Sequence, residues 1–438
     1  MILTIENIGL IDKASIRLDG LTVIGGENDT GKSTAGKLMF AITKALSRYN
    51  DDFAISKESV IDIIARDIYF TLRRLSLDTE KYRADFLPKQ FESAFNYVNN
   101  PNSSFAKGFD IDAFFEKRIT FIKDEKEIIP QSVKNQIINN LEKIQKEIQK
   151  VENRSDLIQE ALKRALISEF HFEISPNDKP SIITITDKGV LLLKIDIQDN
   201  KIKNVEAGDL FNFEDVTFIE SPLVLQLSEL ISYADTFFEV ISDDINVRLN
   251  TLSRPTIPMR FKDLMNKLQK SQRANHVNFS KSISDTIDGI FEYDKQNQDF
   301  IFKRRDGEQL LEVKSINTAS GIKSFGIIQL LLQSGFIDER TLLIIDEPET
   351  HLHPKWQVEY AKLMVELVKN NYNVLLTSHS PYMIQALRVL SEKEEINDKT
   401  AFYLAERVNG KSKFEDVSTD IGKLFKKLAE PLNQLLWQ

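Results

Sequence analysis

Cysteine is absent from all 438 residues. That excludes disulfides and thiolate metal sites, and it fits a reducing compartment. No run approaches the roughly 18 uninterrupted apolar residues that a membrane-spanning helix needs. The opening MILTIENIGL lacks the basic start and small-residue cleavage site of a signal peptide. The expectation is a soluble, cytoplasmic protein with no membrane partner. A basic excess is missing as well, since 66 acidic side chains face 57 basic ones for a net charge of −9. Dedicated nucleic-acid binders are usually basic, so any DNA contact would come from a local patch or from a partner. Two small basic clusters, Lys303 with Arg304 and Arg305, and Lys423 with Lys426 and Lys427, read as solvated faces. Internal repeats and low-complexity segments are also lacking. Apolar residues are plentiful, at 42% with 28 Phe, and the length points to two or three structural units.

The most informative stretch is Leu21 to Thr34, LTVIGGENDTGKST. Four residues of strand character run into G-x-x-x-x-G-K-[ST] through Gly26, Gly31, Lys32 and Ser33, and a helical pattern follows. Gly26 and Gly31 lack a Cβ, so the loop Gly26, Glu27, Asn28, Asp29, Thr30, Gly31 can curl and aim backbone N–H groups at an anion. The helix start at Lys32, Ser33 and Thr34 adds its positive dipole end. Lys32 would reach the β- and γ-phosphates of ATP, and the Ser33 hydroxyl can ligate Mg²⁺. The helix carries Ala35, Leu38, Met39, Ile42, Ala45 and Leu46 on one face for packing on a sheet. Residues 1–50 therefore read as one half of an α/β nucleotide-binding core.

The last 130 or so residues, 311–438, complete that pattern. Thr341 to Ile345 is continuously apolar, as buried parallel strands are, and it ends in Asp346, Glu347 and Pro348. A phosphate loop needs one carboxylate near the Mg²⁺ and another to orient or deprotonate the attacking water. Asp346 suits the first role and Glu347 the second. Helix Pro354 to Lys369 follows, then a second buried strand, Val374 to Thr377, ending in Ser378, His379 and Ser380. A terminal strand from Ala401 and a helix over Ile421 to Leu436 close the chain. His351 and His353 read as backbone capping before Pro354 rather than as a metal pair.

Between the halves, 51–310 reads as a mainly helical insertion. Ile61, Ile64, Ile68, Leu72 and Leu75 mark an amphipathic helix, and Asn99 to Ser104 a loop. Ile137, Leu141, Ile144, Ile148, Val151, Ile158 and Leu162 form a heptad seam over 137–166. This fits a short projecting coiled coil and a long helix packed within its own domain equally well. Hairpin strands are expected at Ser181 to Thr186 with Val190 to Ile197, and at Phe291 to Tyr293 with Phe300 to Lys303. Val216 to Glu220 is a further strand, and helices are expected over Leu223 to Leu249 and Phe261 to Ile290.

Lys32 and Asp346 stand 314 positions apart, so the core is split. This layout resembles the ABC-type ATPases of the SMC, RecF and OLD-like group, whose P-loop head is divided by a helical or coiled-coil arm. Ala319, Ser320, Gly321, Ile322, Lys323 and Ser324 look like that group's signature motif. Glu349 to Pro354 stands where the family has its D-loop, and His379 matches its switch histidine. The run LLIIDEPETHLHP followed by TSHSP is very similar to ATPases of prokaryotic antiviral systems of the Septu-like, PARIS-like and retron-associated kinds. The matches cover residues 1–50 and about 310–390.

The resemblance implies a homodimer, or a higher oligomer, with ATP sandwiched between copies, Ser320 and Gly321 binding the γ-phosphate held by the opposite copy. Ile322 and Lys323 replace the family's usual Gly and Gln, so a lysine cation would take over the neutral amide's contact. Gln226 is a candidate for the Q-loop position but reads better as a surface helix residue. The OLD-like nucleases add a Toprim domain, and the 59 residues after His379 hold no such acidic cluster. A nuclease or toxin effector would then be a separate chain. The rival reading is an SMC/RecF-like DNA-repair or structural clamp with a slow ATP switch.

Overall fold

A computed structural model describes the chain apart from residues 76–84, 100–107, 126–128, 151–152, 172, 176–178, 209–210, 237–255, 271–276, 308 and 437–438. It divides into two compact units, one formed by Met1–Ser47 with Ile158–Gln438 and the other by Arg48–Leu157.

In the larger unit β1 (Ile2–Ile8), β2 (Ile11–Arg17) and β3 (Leu21–Gly26) lead into α1 (Lys32–Arg74), whose later part belongs to the smaller unit. After α5 (Arg154–Phe170), described below, come β4 (Ser181–Asp187), β5 (Val190–Gln198), β6 (Lys201–Ala207) and β7 (Asp215–Ile219). Next are α6 (Ser228–Tyr233), the two-residue strands β8 (Asp235–Thr236) and β9 (Thr256–Ile257), α7 (Met259–Gln269) and α8 (Val277–Ile287). The antiparallel strands β10 (Ile290–Asp294), β11 (Asp299–Asp306) and β12 (Gln309–Lys314) form a small separate sheet before α9 (Ser320–Ser334). β13 (Thr341–Asp346), α10 (Pro354–Lys369), β14 (Asn373–Ser378), α11 (Pro381–Lys393), β15 (Thr400–Val408), β16 (Lys411–Asp416) and α12 (Gly422–Leu436) complete the chain.

The main sheet runs β6-β5-β4-β1-β2-β16-β15-β3-β14-β13-β7. One part of it is parallel: β15 pairs β3, β3 pairs β14, β14 pairs β13 and β13 pairs β7. Those strands bury almost every residue, as covered parallel strands must. The rest is antiparallel and alternates, with Ile183 and Ile185 buried on β4 while Ile182 and Thr184 are half-exposed.

This topology corrects the expected insertion of 51–310. The strands β4 to β7 belong to the nucleotide-type sheet, because the inward residues of β4 pair with β1 (Ile5 opposite Ile183) and the apolar run of β7 pairs with β13 (Ile344 opposite Phe218). Of the expected insertion, the part up to Leu157 falls in the smaller compact unit, Arg48–Leu157, and the part from Ile158 onward falls in the larger one. The helical expectation over Leu223 to Leu249 resolves into a 3₁₀ turn, Pro222–Leu225, and α6, with 237–249 outside the described residues. Most of the loop expected at Asn99 to Ser104 lies outside them too.

In the smaller unit, α2 (Pro88–Asn99), α3 (Ile111–Asp124) and α4 (Gln131–Gln149) join the later part of α1. The 137–166 seam is not one helix: α4 ends at Gln149, Lys150 is extended, and α5 starts at Arg154. Ile137, Leu141, Ile144 and Ile148 are buried with Ile61, Ile68, Phe91, Phe115 and Ile122. Ile158 and Leu162 are buried in the other unit, and Val151 lies outside the described residues. The stripe is divided between the two units, its first four residues packing inside the smaller one, so the described residues form no continuous four-repeat coiled coil.

Two buried ionic clusters tie the larger unit together near its parallel strands. Lys44 of α1 pairs with Asp215 and, at 2.7 Å, with Asp263, while Lys267 reaches Asp215 at 2.6 Å. Arg260 of α7 bonds the buried Glu169 at 2.6 Å and Glu220, just beyond β7, at 2.8 Å. Arg260→Ala would leave Glu169, whose side chain is wholly inaccessible, without its cation. The expected loss is about 3–5 kcal/mol, read as a lowered denaturant midpoint.

Candidate active site

The parallel strands bring the two distant motifs together by register. Ser378 lies opposite Gly25, Asp346 opposite Thr377 and Ala405 opposite Gly26, so β3, β13, β14 and β15 end at one edge. Ligands of open α/β sheets bind outside such carboxyl ends.

Gly26 has φ of 156°, and a Cβ there would lie 2.3 Å from the Ala405 carbonyl oxygen; Gly31 has φ of 81°. Glycine is the residue that both positions accept without strain. The Lys32 ammonium donates to the carbonyls of Gly26 (3.1 Å) and Glu27 (2.7 Å) and stands 3.4 Å from Glu347 Oε1. Thr30 Oγ1 donates to Glu27 O at 2.8 Å, closing the loop. The side chains of Glu27, Asn28 and Asp29 are exposed and Thr34 is half-buried. Asp29, at φ of 62°, pairs with Arg407 of β15.

Ser33 Oγ donates to Asp346 Oδ1 at 2.9 Å. The same oxygen accepts from Thr377 Oγ1 at 2.5 Å. Burial pushes the Asp346 carboxyl up from its ordinary range, the two hydroxyls pull it back in part, and Glu220 and Glu347 add to the rise. Glu347 occupies the left-handed region, φ 46° and ψ 55°, which non-glycine residues rarely adopt. Its amide donates to Thr377 O and Oγ1, so the neighbouring strand fixes the turn. His379 Nδ1 lies 3.4 Å from Glu347 Oε2 and 3.3 Å from Glu349 Oε1.

The structure thus brings Lys32, Ser33, Asp346, Glu347 and His379 to one place. Ser320, Gly321 and Lys323 are at the start of α9, and no hydrogen bond among the described residues links them to the phosphate loop. Ser320 is exposed and the helix start has no side-chain cap, leaving amides free. Lys323 is only 2% exposed, has no hydrogen bond or ion pair among the described residues, and is pushed down from the ordinary lysine range by burial. Gln226 is half-buried at the end of the 3₁₀ turn. His353 Nδ1 accepts from Lys355 N at 3.3 Å and caps α10. Lys303 pairs with Glu292 and Glu312, Lys423 with Glu415 and Lys427 with Glu406, which neutralises one cation of the first cluster and two of the second.

Sequence reasoning gave no place in this site to Thr377 or Glu220, and named Glu349 only as the start of the D-loop stretch. Thr377 is a hydroxyl at the end of an apolar strand, which is its one local signal. Glu220 follows β7, and its proximity to Asp346 depends on a pairing that sequence does not give. Glu349 is 5% exposed, although an acid in a turn reads as solvated.

A family model described as an AAA ATPase domain matches residues 1–384. The chain belongs to that family. As an AAA ATPase-domain protein it is similar to the Septu protein PtuA of Bacillus thuringiensis, with 32% identity over 130 residues, 26% of this chain and 28% of that protein. The chain therefore matches only about a quarter of that relative's length. Among solved structures it is similar to the SMC head domain from Thermotoga maritima, at 10% identity and a TM-score of 0.38 over 95% of this chain and 98% of that one. The Smc head domain with an extended coiled coil bound to the C-terminal domain of ScpA, derived from Pyrococcus furiosus, gives 12% identity and a TM-score of 0.38 over 98% of each. Among the described residues of this ATPase-domain chain, no helix is long and apolar enough to cross a membrane.

The donors fit Mg²⁺. Ser33 Oγ and Asp346 Oδ1 are hard oxygens, and an acid whose ionisation is opposed by burial and by two nearby carboxylates is relieved by a cation. Asp346→Asn tests this. A folded-state pKa above the unfolded value means that stability falls as pH rises from the unfolded aspartate range, about 3.9, through the raised value. At neutral pH the neutral amide removes that penalty. The nucleotide-free variant should melt about 1–3 °C higher while losing the Mg²⁺-dependent part of its stabilisation by ATP; differential scanning fluorimetry reads both.

Proposed function

We propose that this chain binds and hydrolyses ATP with Mg²⁺, and that two copies close on two nucleotides. The observation that carries the reading is the Ser33 to Asp346 contact beside the Lys32 to Glu347 contact. Ser33 and Asp346 would hold Mg²⁺, which when bound neutralises triphosphate charge. Lys32, now satisfied by two loop carbonyls, would turn to the phosphates, and the amides of Gly26 to Ser33 would cradle them. Glu347 would orient and deprotonate the attacking water, with His379 beside it as γ-phosphate sensor. The uncapped start of α9, with exposed Ser320 and half-buried Gly321, suits an anion brought by a second copy, and the buried Lys323 side chain would turn outward to reach it. Loss of the γ-phosphate would then loosen the dimer.

The likeness to a Septu protein, together with the DEPETHLHP and TSHSP runs, supports a place as sensor or motor in a prokaryotic antiviral complex, controlling a separate nuclease or toxin chain. The purified chain tests this reading. Phosphate release from MgATP, doubling of mass by light scattering in the hydrolysis-deficient Glu347→Gln variant, and intact plasmid with Mg²⁺ or Mn²⁺ are expected. An inert, monomeric chain, or one that cuts plasmid alone, overturns it.

A further inference from the structure

Glu349 has no role in the chemistry above, yet its surroundings are unusual for a turn residue. It lies in the 3₁₀ turn Pro348–His351, and its side chain is 2% exposed. One oxygen, Oε1, accepts from Ser378 Oγ at 2.8 Å, from the His379 amide at 2.6 Å and from the Ser380 amide at 3.2 Å. The His379 ring nitrogen Nδ1 is 3.3 Å from that same oxygen. The other oxygen, Oε2, is sealed and has no hydrogen-bond partner among the described residues. A carboxylate kept only for packing would be replaced at lower cost by an apolar side chain, since burying it is opposed by desolvation. What its retention achieves here is geometric: it gathers three consecutive residues onto one point and fixes the backbone at His379, which places the ring with Nδ1 close to Glu349 but without a hydrogen bond to it among the described residues.

We propose that Glu349 is a positioning residue for ATP hydrolysis, holding the imidazole of His379 beside Glu347 so that both face the terminal phosphate; the proposal rests on the ATPase reading above. The turn that carries Glu349 also touches the signature helix, because the His351 carbonyl and Trp356 lie against Gly321. A displaced Glu349 turn would therefore be felt at both halves of a composite site. The group is not placed to meet substrate itself, since its free oxygen is enclosed.

Glu349→Gln keeps an acceptor oxygen at the same reach, and Glu349→Ala removes it. In Glu349→Ala, kcat should fall about 10–100-fold, the scale of an ångström-level misplacement, with ATP affinity by calorimetry changed less than about threefold; Glu349→Gln should recover most of the rate. In a His379→Ala background the Glu349→Ala change should cost little more, because the two act as one unit. Multiplicative losses, or equal losses of affinity and kcat with a collapsed melting transition, overturn the proposal. A second measurement is independent of turnover. Side-chain ¹⁵N NMR of the five histidines, with His379 assigned by His379→Ala, should show the His379 ring signals moved in nucleotide-free Glu349→Ala and retained in Glu349→Gln. Unmoved signals in the alanine variant refute it even if the protein proves not to hydrolyse ATP, while failure of the unmutated chain to bind MgATP strikes the ATPase reading instead.

Discussion

Glu347→Gln is expected to slow ATP turnover by about 10²–10⁴-fold, the usual contribution of a general base, while MgATP remains bound. The residue is half-buried, 3.4 Å from the Lys32 ammonium and 3.4 Å from His379 Nδ1. It is held in a left-handed conformation by bonds from its amide to Thr377. Glutamine preserves size and hydrogen bonding but cannot take a proton from water. The chemical step is therefore removed with little change to the architecture. Binding by calorimetry should stay within a few-fold of the unmutated chain, and the ATP-held dimer should persist for hours rather than relaxing. Single-turnover phosphate release separates this outcome from its rival. A rate in Glu347→Gln equal to that of a fully active parent would assign the base to another group.

Lys32→Ala should do the opposite and weaken binding strongly. Its side chain is 3% exposed and its ammonium is satisfied by the Gly26 and Glu27 carbonyls, so it is already held within the proposed phosphate loop. Charge-assisted hydrogen bonds are worth about 1.5–3 kcal/mol each. Losing one or two to the phosphates weakens affinity by about 10- to 10⁴-fold at 1.4 kcal/mol per decade. The melting shift given by MgATP should fall sharply. The nucleotide-free protein should also melt lower, because the two carbonyls lose their shared donor. Retention of the ATP-induced shift would place the phosphates elsewhere.

The gathering of the candidate site was legible in the sequence because its glycine-rich loop is a local pattern. The spacing of Gly26, Gly31, Lys32 and Ser33 along one turn marks the proposed phosphate loop, and continuous apolar strands such as Thr341 to Ile345 announce burial on both faces. Asp346, Glu347 and His379 could be named because each closes such a strand. Long-range pairing was the part that stayed hidden. Nothing local tells that Ser181 to Asp187 pairs with β1, or that β7 lines up with β13. Strands over 181–219 were therefore assigned to an insertion. The heptad spacing of Ile137 to Ile148 was real as an apolar stripe, but periodicity cannot say whether its partner is another chain or Ile61, Phe91 and Phe115 nearby. The enclosure of Glu349, named only as the start of the D-loop stretch, and of Glu220 stayed hidden for the same reason, since acids in turns are usually solvated and only the assembled sheet edge encloses them.

Isothermal titration of purified chain with ATP, in the presence and absence of Mg²⁺, tests most directly whether the two distant motifs serve one nucleotide. One ATP per chain is expected with Mg²⁺, with binding strongly weakened in Lys32→Ala and its Mg²⁺ dependence lost in Asp346→Ala, although these residues stand 314 positions apart. No heat with the unmutated chain, or Mg²⁺-dependent binding untouched by Asp346→Ala, would contradict the account.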